Sequence, residues 1–250
     1  MTPKNKWLLD LDVGNTRTKW RLSLGGENIA EGFSAGGSES LEGELERHTR
    51  ELHRCRLSNV AGPERASEIA AWLNLRWGIE VESAVVSAES CGVSNSYQQP
   101  QQLGVDRWLA AIAAYNTCRQ ACLVVDCGSA VTVELLSSEG CHIGGYIVPG
   151  LGLMRRSLFQ DTDAVKVEAA DIPEALKAGV CTKDAVNNGL LLMVIGLIEK
   201  AMEELQAIEP DVVPGLIITG GDGAAIIPFL PPGAVLNDGL VMDGLAVLMP

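Results

Sequence analysis

Asp12-Val13-Gly14-Asn15-Thr16-Arg17-Thr18 is echoed by Asp126-Cys127-Gly128-Ser129-Ala130-Val131-Thr132, so the chain carries the pattern DxGxxxT twice, 114 residues apart. Each copy follows an apolar run, at residues 7–11 and 122–125, and precedes alternating residues at 19–22 and 133–135. That order reads as strand, glycine turn, strand. Glycine lets the backbone N–H groups of a turn approach a phosphate, and an aspartate at the mouth is suited to hold a cation against it. One such turn is ordinary hairpin punctuation. Two, with aspartate, glycine and threonine at matching positions, read as a pair of phosphate turns that face each other and clamp a nucleotide.

The length of 250 residues fits one large domain or two of about 100 to 150 residues each, and the repeat favours two. The repeat offset places the expected boundary between an N-terminal domain, 1–117, and a C-terminal domain, 118–250. A hydrophobic content of 47% is enough for a sizeable core. The formal net charge of −13, with no stripe of lysine and arginine, argues against a nucleic-acid partner, because a phosphate backbone needs clustered cations. A bound polyphosphate must then be met locally, by backbone N–H groups, one or two basic side chains and a divalent metal.

Asp10 and Asp12 interrupt the N-terminal apolar stretch before a secretory core forms, so no secretion signal is expected. The longest apolar run, 190–198, is about half a bilayer span and predicts a buried helix rather than a membrane partner. That helix is buried either within its own domain or at a subunit interface. The seven cysteines form no CxxC pair and fit reduced thiols in a cytoplasmic protein, with Cys122 and Cys127 serving as small hydrophobes in a strand. His48, His53 and His142 read as solvated residues without partners.

Strand and helix alternate after the first hairpin: a helix at 40–53, strands at 56–60 and 79–86, and a helix at 64–77 between them. A polar loop at 87–103 leads to Gly104-Val105-Asp106-Arg107 and an alanine-rich helix at 107–116. Asp106 sits where a helix N-cap belongs, and capping alone accounts for it. At the end of a long loop and beside an arginine it also suits chemistry. A carboxylate there can accept a hydroxyl proton, and the arginine can hold a substrate carboxylate in bidentate fashion. Beyond the second hairpin come Gly144-Gly145-Tyr146-Ile147-Val148-Pro149-Gly150, a helix at 151–158, a polar linker through 173 and a helix at 183–206. A strand at 216–219 then empties into Gly220-Gly221-Asp222-Gly223, which fits a purine and ribose or an ordinary strand-to-helix turn. The chain has no GxSxG elbow, GxxxxGK[ST] loop or GxGxxG after a strand.

Taken in order, Asp12 to Thr16 with Lys19, Gly104 to Arg107, Asp126 to Thr132, Gly144 to Gly150 and Thr219-Gly220-Gly221 resemble the type III pantothenate kinases over nearly the whole chain. That family belongs to the superfamily of actin, hexokinase and the sugar kinases. The resemblance implies an α/β protein of two ribonuclease-H-like (actin-like ATPase) domains around an interdomain cleft. It implies that Asp12, Val13, Gly14, Asn15, Thr16, Arg17, Thr18 and Lys19 hold the ATP phosphates and Mg²⁺, with Asp12 reaching the metal through water. Asp106 would be the general base for the pantothenate hydroxyl. Gly104, Val105, Asp106, Arg107, Tyr97 and Thr182 would contact pantothenate, and Ser129, where threonine is usual, would touch ATP. Asp126 would bind a monovalent cation, K⁺ or NH₄⁺. The family's dimer further implies a homodimer whose substrate site is shared between subunits. Two alternatives remain at this stage: another kinase or phosphohydrolase of the superfamily, or a non-catalytic nucleotide-binding regulator.

Overall fold

The first motif closes a hairpin between β1 (Trp7–Val13) and β2 (Thr18–Leu24), paired antiparallel with Asp12 opposite Lys19. In this computed structural model, which describes residues 6–35, 38–49, 51–160 and 172–250, the chain separates into two compact units. Most of the expected linker before residue 173 lies outside the described residues, as do residues 1–5.

Unit 1 takes the described parts of Met1–Cys91, Tyr97–Ala113 and Leu240–Pro250. After β2 come β3 (Glu27–Ser34), α1 (Ser38–Leu45), β4 (Arg54–Asn59), α2 (Pro63–Trp77), β5 (Val81–Ser83) and the short β6 (Glu89–Ser90). The sheet runs β3-β2-β1-β4-β5, with β1, β2 and β3 antiparallel and β4 and β5 parallel to β1. Alternation puts Leu9, Leu11 and Val13 on one face of β1, where they pack with Trp20, Leu22, Leu41, Leu45, Ile69 and Leu73. Asp10 points the other way and is 1% exposed. Arg56 of β4 donates to both its oxygens, at 2.6 and 2.8 Å, and also to the Met249 carbonyl. A carboxylate this deep is tolerable only when paired and hydrogen-bonded. The C-terminal helix, Leu240–Leu248, packs on β1 and β4.

Unit 2, Gly92–Ser96 and the described part of Ala114–Gly239, repeats this topology. It contains β7 (Val93–Asn95), the end of α3 (Val105–Cys118), β8 (Cys122–Cys127), β9 (Ala130–Leu136), β10 (Cys141–Pro149), α4 (Leu151–Gln160), α5 (Thr182–Ile208), β11 (Gly215–Thr219), α6 (Gly223–Ile226) and β12 (Val235–Leu236); the C-terminal helix is α7. The order β10-β9-β8-β11-β12 matches β3-β2-β1-β4-β5 strand for strand, and β7 adds beside β10. Leu123, Val125, Val131, Val133 and Leu135 form the core with Leu190, Val194, Ile198 and Ala201 of α5.

The two units are interleaved in sequence, unlike continuous halves on either side of residue 117. The apolar α7 covers the sheet face that carries Asp10 and Arg56, which returns the end of the chain to unit 1. Other differences are local. The helix expected at 40–53 stops at Leu45, and the expected loop at 87–103 contains β6, β7 and a 3-10 turn at Pro100–Gln102. By length and apolarity α5 is able to cross a membrane, yet its buried residues lie in the core of unit 2.

Candidate active site

In the first turn, the Gly14 N–H donates to the Arg17 carbonyl at 3.1 Å, leaving residues 14–17 as the loop between Val13 and its partner Thr18. Val13 and Thr18 are buried, whereas Asn15 and Thr16 are exposed. The Arg17 guanidinium lies 5.6 Å over the Phe33 ring. Paired residues share a sheet face, so Lys19 stands on the face of Asp12. The Ser58 hydroxyl, from the neighbouring position of β4, donates to Asp12 Oδ1 at 3.1 Å. Residues 14–18 line a cleft of about 410 Å³ together with Arg65 of α2.

The second turn is one residue tighter. Cys127 pairs with Val131 and Asp126 with Thr132, and the Gly128 N–H donates to the Ala130 carbonyl at 3.0 Å. Thus the two motif threonines, matched in sequence, occupy different ladder positions: Thr132 lies opposite its aspartate, whereas Thr18 lies opposite Val13. Ser129 is exposed at the tip, and its carbonyl accepts the Gly150 N–H at 3.1 Å, which brings the end of β10 to the turn. Thr219 pairs with Asp126, and Gly220 (φ 89°) turns the chain back so that the Asp222 N–H donates to the Cys127 carbonyl. A Cβ on Gly220 would strike the Asp126 carboxylate and the Cys127 backbone, so only glycine lets this loop close over the turn. Burial, reinforced by Asp126 and Asp222, pushes the Cys127 thiol up to about 12.

The acceptor motif gathers at the start of α3. Trp108 N–H donates to the Gly104 carbonyl, so the helix begins at Val105 and Asp106 lies in its first turn rather than at the expected cap. Its Oδ1 accepts the N–H of Arg107 at 2.8 Å, one of the first-turn donors without an intrahelical partner. Arg107, 8% exposed, donates from Nη1 to the Tyr97 hydroxyl at 3.1 Å and stacks over that ring at 5.7 Å. Tyr97, Asp106 and Arg107 are thus linked in one chain of contacts: the Arg107 guanidinium is held by Tyr97, and the Asp106 carboxylate by the Arg107 backbone N–H. Thr182 opens α5, exposed, beside a cavity of about 840 Å³ that is also lined by Val180, Cys181, Leu190 and Met193.

His142 departs from the expectation of a solvated turn. It lies within β10, is 0% exposed, and its Nε2 is 2.8 Å from Glu134 Oε2. His48 and His53 are exposed, but His53 Nδ1 accepts the Trp7 N–H and His48 lies against Trp20. Ser58, and the closing of the Asp222 loop on the second turn, were missed in the sequence, because a strand pairing 46 residues apart and a loop closing on a distant turn leave no local pattern.

A family model of type III pantothenate kinases matches residues 8–204. The chain belongs to the type III pantothenate kinase family. Relatives of that name in Pseudomonas aeruginosa strain LESB58 and Nitrosococcus oceani are 35% and 32% identical to it. The first alignment covers 97% of this chain and 99% of the relative, the second 96% and 92%. A crystal structure from Campylobacter jejuni, provisionally described as a Baf family transcriptional activator, superposes with TM-score 0.64 at 21% identity, covering 96% of each chain. At that identity the likeness speaks for the fold, as does that of the ethanolamine utilization protein EutJ from Carboxydothermus hydrogenoformans (TM-score 0.52, 12% identity, 99% of this chain and 92% of that one). Type III pantothenate kinase membership thus rests on sequence, and the duplicated sheet of this member belongs to the fold it shares with these two structures.

Proposed function

We propose that the chain transfers the γ-phosphoryl group of ATP to pantothenate, giving 4'-phosphopantothenate, the first step of coenzyme A synthesis in the cytoplasm. The observation that carries the choice of acceptor is the Tyr97–Asp106–Arg107 cluster. Pantothenate offers a carboxylate and a primary alcohol, and the cluster offers a buried guanidinium for the first and a carboxylate for the second. Asp106 accepts the hydroxyl proton as the alcohol attacks in line, while Arg107, Tyr97, Gly104 and Val105 fix the acceptor. Thr182 of a second subunit completes the pocket.

The turn at Asp12 to Lys19 receives the ATP phosphates through backbone N–H groups, hydroxyls and Lys19, and Ser129 meets the same nucleotide. Among the described residues no group of three or more His, Cys, Asp or Glu is arranged to hold a metal. Single carboxylates suit Mg²⁺, which keeps several waters and takes its other ligands from phosphate. Asp12, held by Ser58, would retain it through water, and Asp126 would hold K⁺ or NH₄⁺ beside the second turn. Bound there, the divalent cation supplies neutralisation of the charge spread over the transferred phosphoryl oxygens.

A homodimer is supported by α5, because Leu192 and Met193 are 60% and 64% exposed in the single chain while Leu190, Leu191, Val194 and Ile195 beside them are buried. The test is ADP release by purified protein with Mg²⁺-ATP, K⁺ and a panel of alcohols. Release that depends on pantothenate and not on sugars supports the proposal, and release with sugars alone contradicts it.

A further inference from the structure

Arg65 lies outside every motif of the sequence, yet its side chain lines the cleft formed by turn residues 14–18. It stands in the first turn of α2, which leaves β4 just beyond Ser58, the partner of Asp12. The side chain is 26% exposed, and its Nη1 meets Glu68 Oε2 at 3.1 Å. Glu68 is 63% exposed, so water screens that pair and it contributes little. The guanidinium is therefore only weakly held by Glu68, and a phosphate can draw it away at small cost.

The cleft is lined by two arginines, Arg17 and Arg65, together with Thr16 and Thr18. The Arg17 guanidinium rests over the face of Phe33. In a chain of net charge −13, two arginines lining one glycine-turn cleft form a local reversal of the overall field. A guanidinium fork matches phosphate oxygens in shape as well as charge. Resting on the phosphate-binding reading of the turn, we propose that Arg65 is a phosphate-binding residue that grips the nucleotide's phosphate oxygens from the α2 wall of the cleft.

The test compares Arg65→Ala and Arg65→Lys with the parent protein. Calorimetry with a non-hydrolysable Mg²⁺-triphosphate analogue reads binding without an acceptor, and steady-state kinetics read KM for ATP and for pantothenate. Losing a charge-assisted contact to phosphate predicts an affinity for the analogue lower by roughly ten- to hundred-fold in Arg65→Ala. Arg65→Lys recovers part of it, and the effect shrinks at high salt. KM for pantothenate and the melting temperature stay near the parent values. Analogue affinity within about two-fold of the parent in Arg65→Ala overturns the inference, as does an equal loss in ATP and pantothenate parameters, which marks a structural lesion. A parent protein that binds the analogue but phosphorylates no pantothenate refutes the acceptor reading and leaves the role of Arg65 standing.

Discussion

Replacing Gly104 by alanine tests the acceptor cluster without touching a charged group. A Cβ at this position would stand 2.6 Å from Asp106 Oδ1, against the 3.4 Å at which ordinary contact begins, so the carboxylate must retreat by about 0.8 Å. The next atoms, Arg107 Cδ and Asp106 Cγ, are 3.7 Å away and accept the methyl group without strain. The retreat breaks the 2.8 Å bond from the Arg107 N–H, at a cost of about 1 kcal/mol, which lowers the melting temperature by roughly 2 to 4 °C. The catalytic effect is larger, because a displacement of about 1 Å at a reacting group costs on the order of 10²-fold. A coupled assay for ADP should therefore show kcat lower by roughly ten- to hundred-fold in Gly104→Ala, with KM for ATP unchanged. A folded Gly104→Ala protein with kcat within about two-fold of the parent would refute the assignment of the reacting carboxylate to Asp106.

Activity with Mg²⁺-ATP should rise when K⁺ or NH₄⁺ is added, and Asp126→Ala should abolish that response; equal rates in potassium-free and potassium-containing buffer count against the cation site. Mixing inactive Asp106→Asn with inactive Thr182→Arg subunits should restore activity, since one of the two shared sites in each heterodimer carries neither lesion, and no recovery after verified subunit exchange contradicts the shared site. Glu134→Ala should lower stability by roughly 1 to 3 kcal/mol in urea titration, because it leaves buried His142 without its 2.8 Å partner; an unchanged midpoint would show that this pair contributes nothing.

Both hairpins were legible in the sequence because their signal is local: an apolar run, a glycine turn and an alternating run within about twenty residues. The same holds for α2, whose apolar spacing follows the helical period, and for α5, which announces itself as an unbroken apolar run at 190–198. What escaped was set by pairings distant in sequence. Asp10 reads as an interruption of an apolar stretch, and only the parallel alignment of β4 on β1 brings Arg56 opposite it. Nothing in the last eleven residues announces that α7 returns to unit 1. His142 was misread because two glycines follow it and suggest a turn; in the folded chain Gly145 is small so that Glu134 can pass beside it, since a Cβ there would lie 2.6 Å from Glu134 Oε2. The acceptor motif was visible as a string, but the contact between Arg107 and Tyr97 depends on how the intervening loop folds back.

The assignment of pantothenate as acceptor and Asp106 as base predicts both the product and its dependence on Asp106. Mass spectrometry of a reaction containing the parent protein, Mg²⁺-ATP, K⁺ and pantothenate should show phosphopantothenate formed in step with ADP. Asp106→Asn, with its fold and nucleotide binding intact, should form it more slowly by a factor on the order of 10² to 10⁴. ADP released without a phosphorylated pantothenate, or product formed by Asp106→Asn at nearly the parent rate, would contradict it.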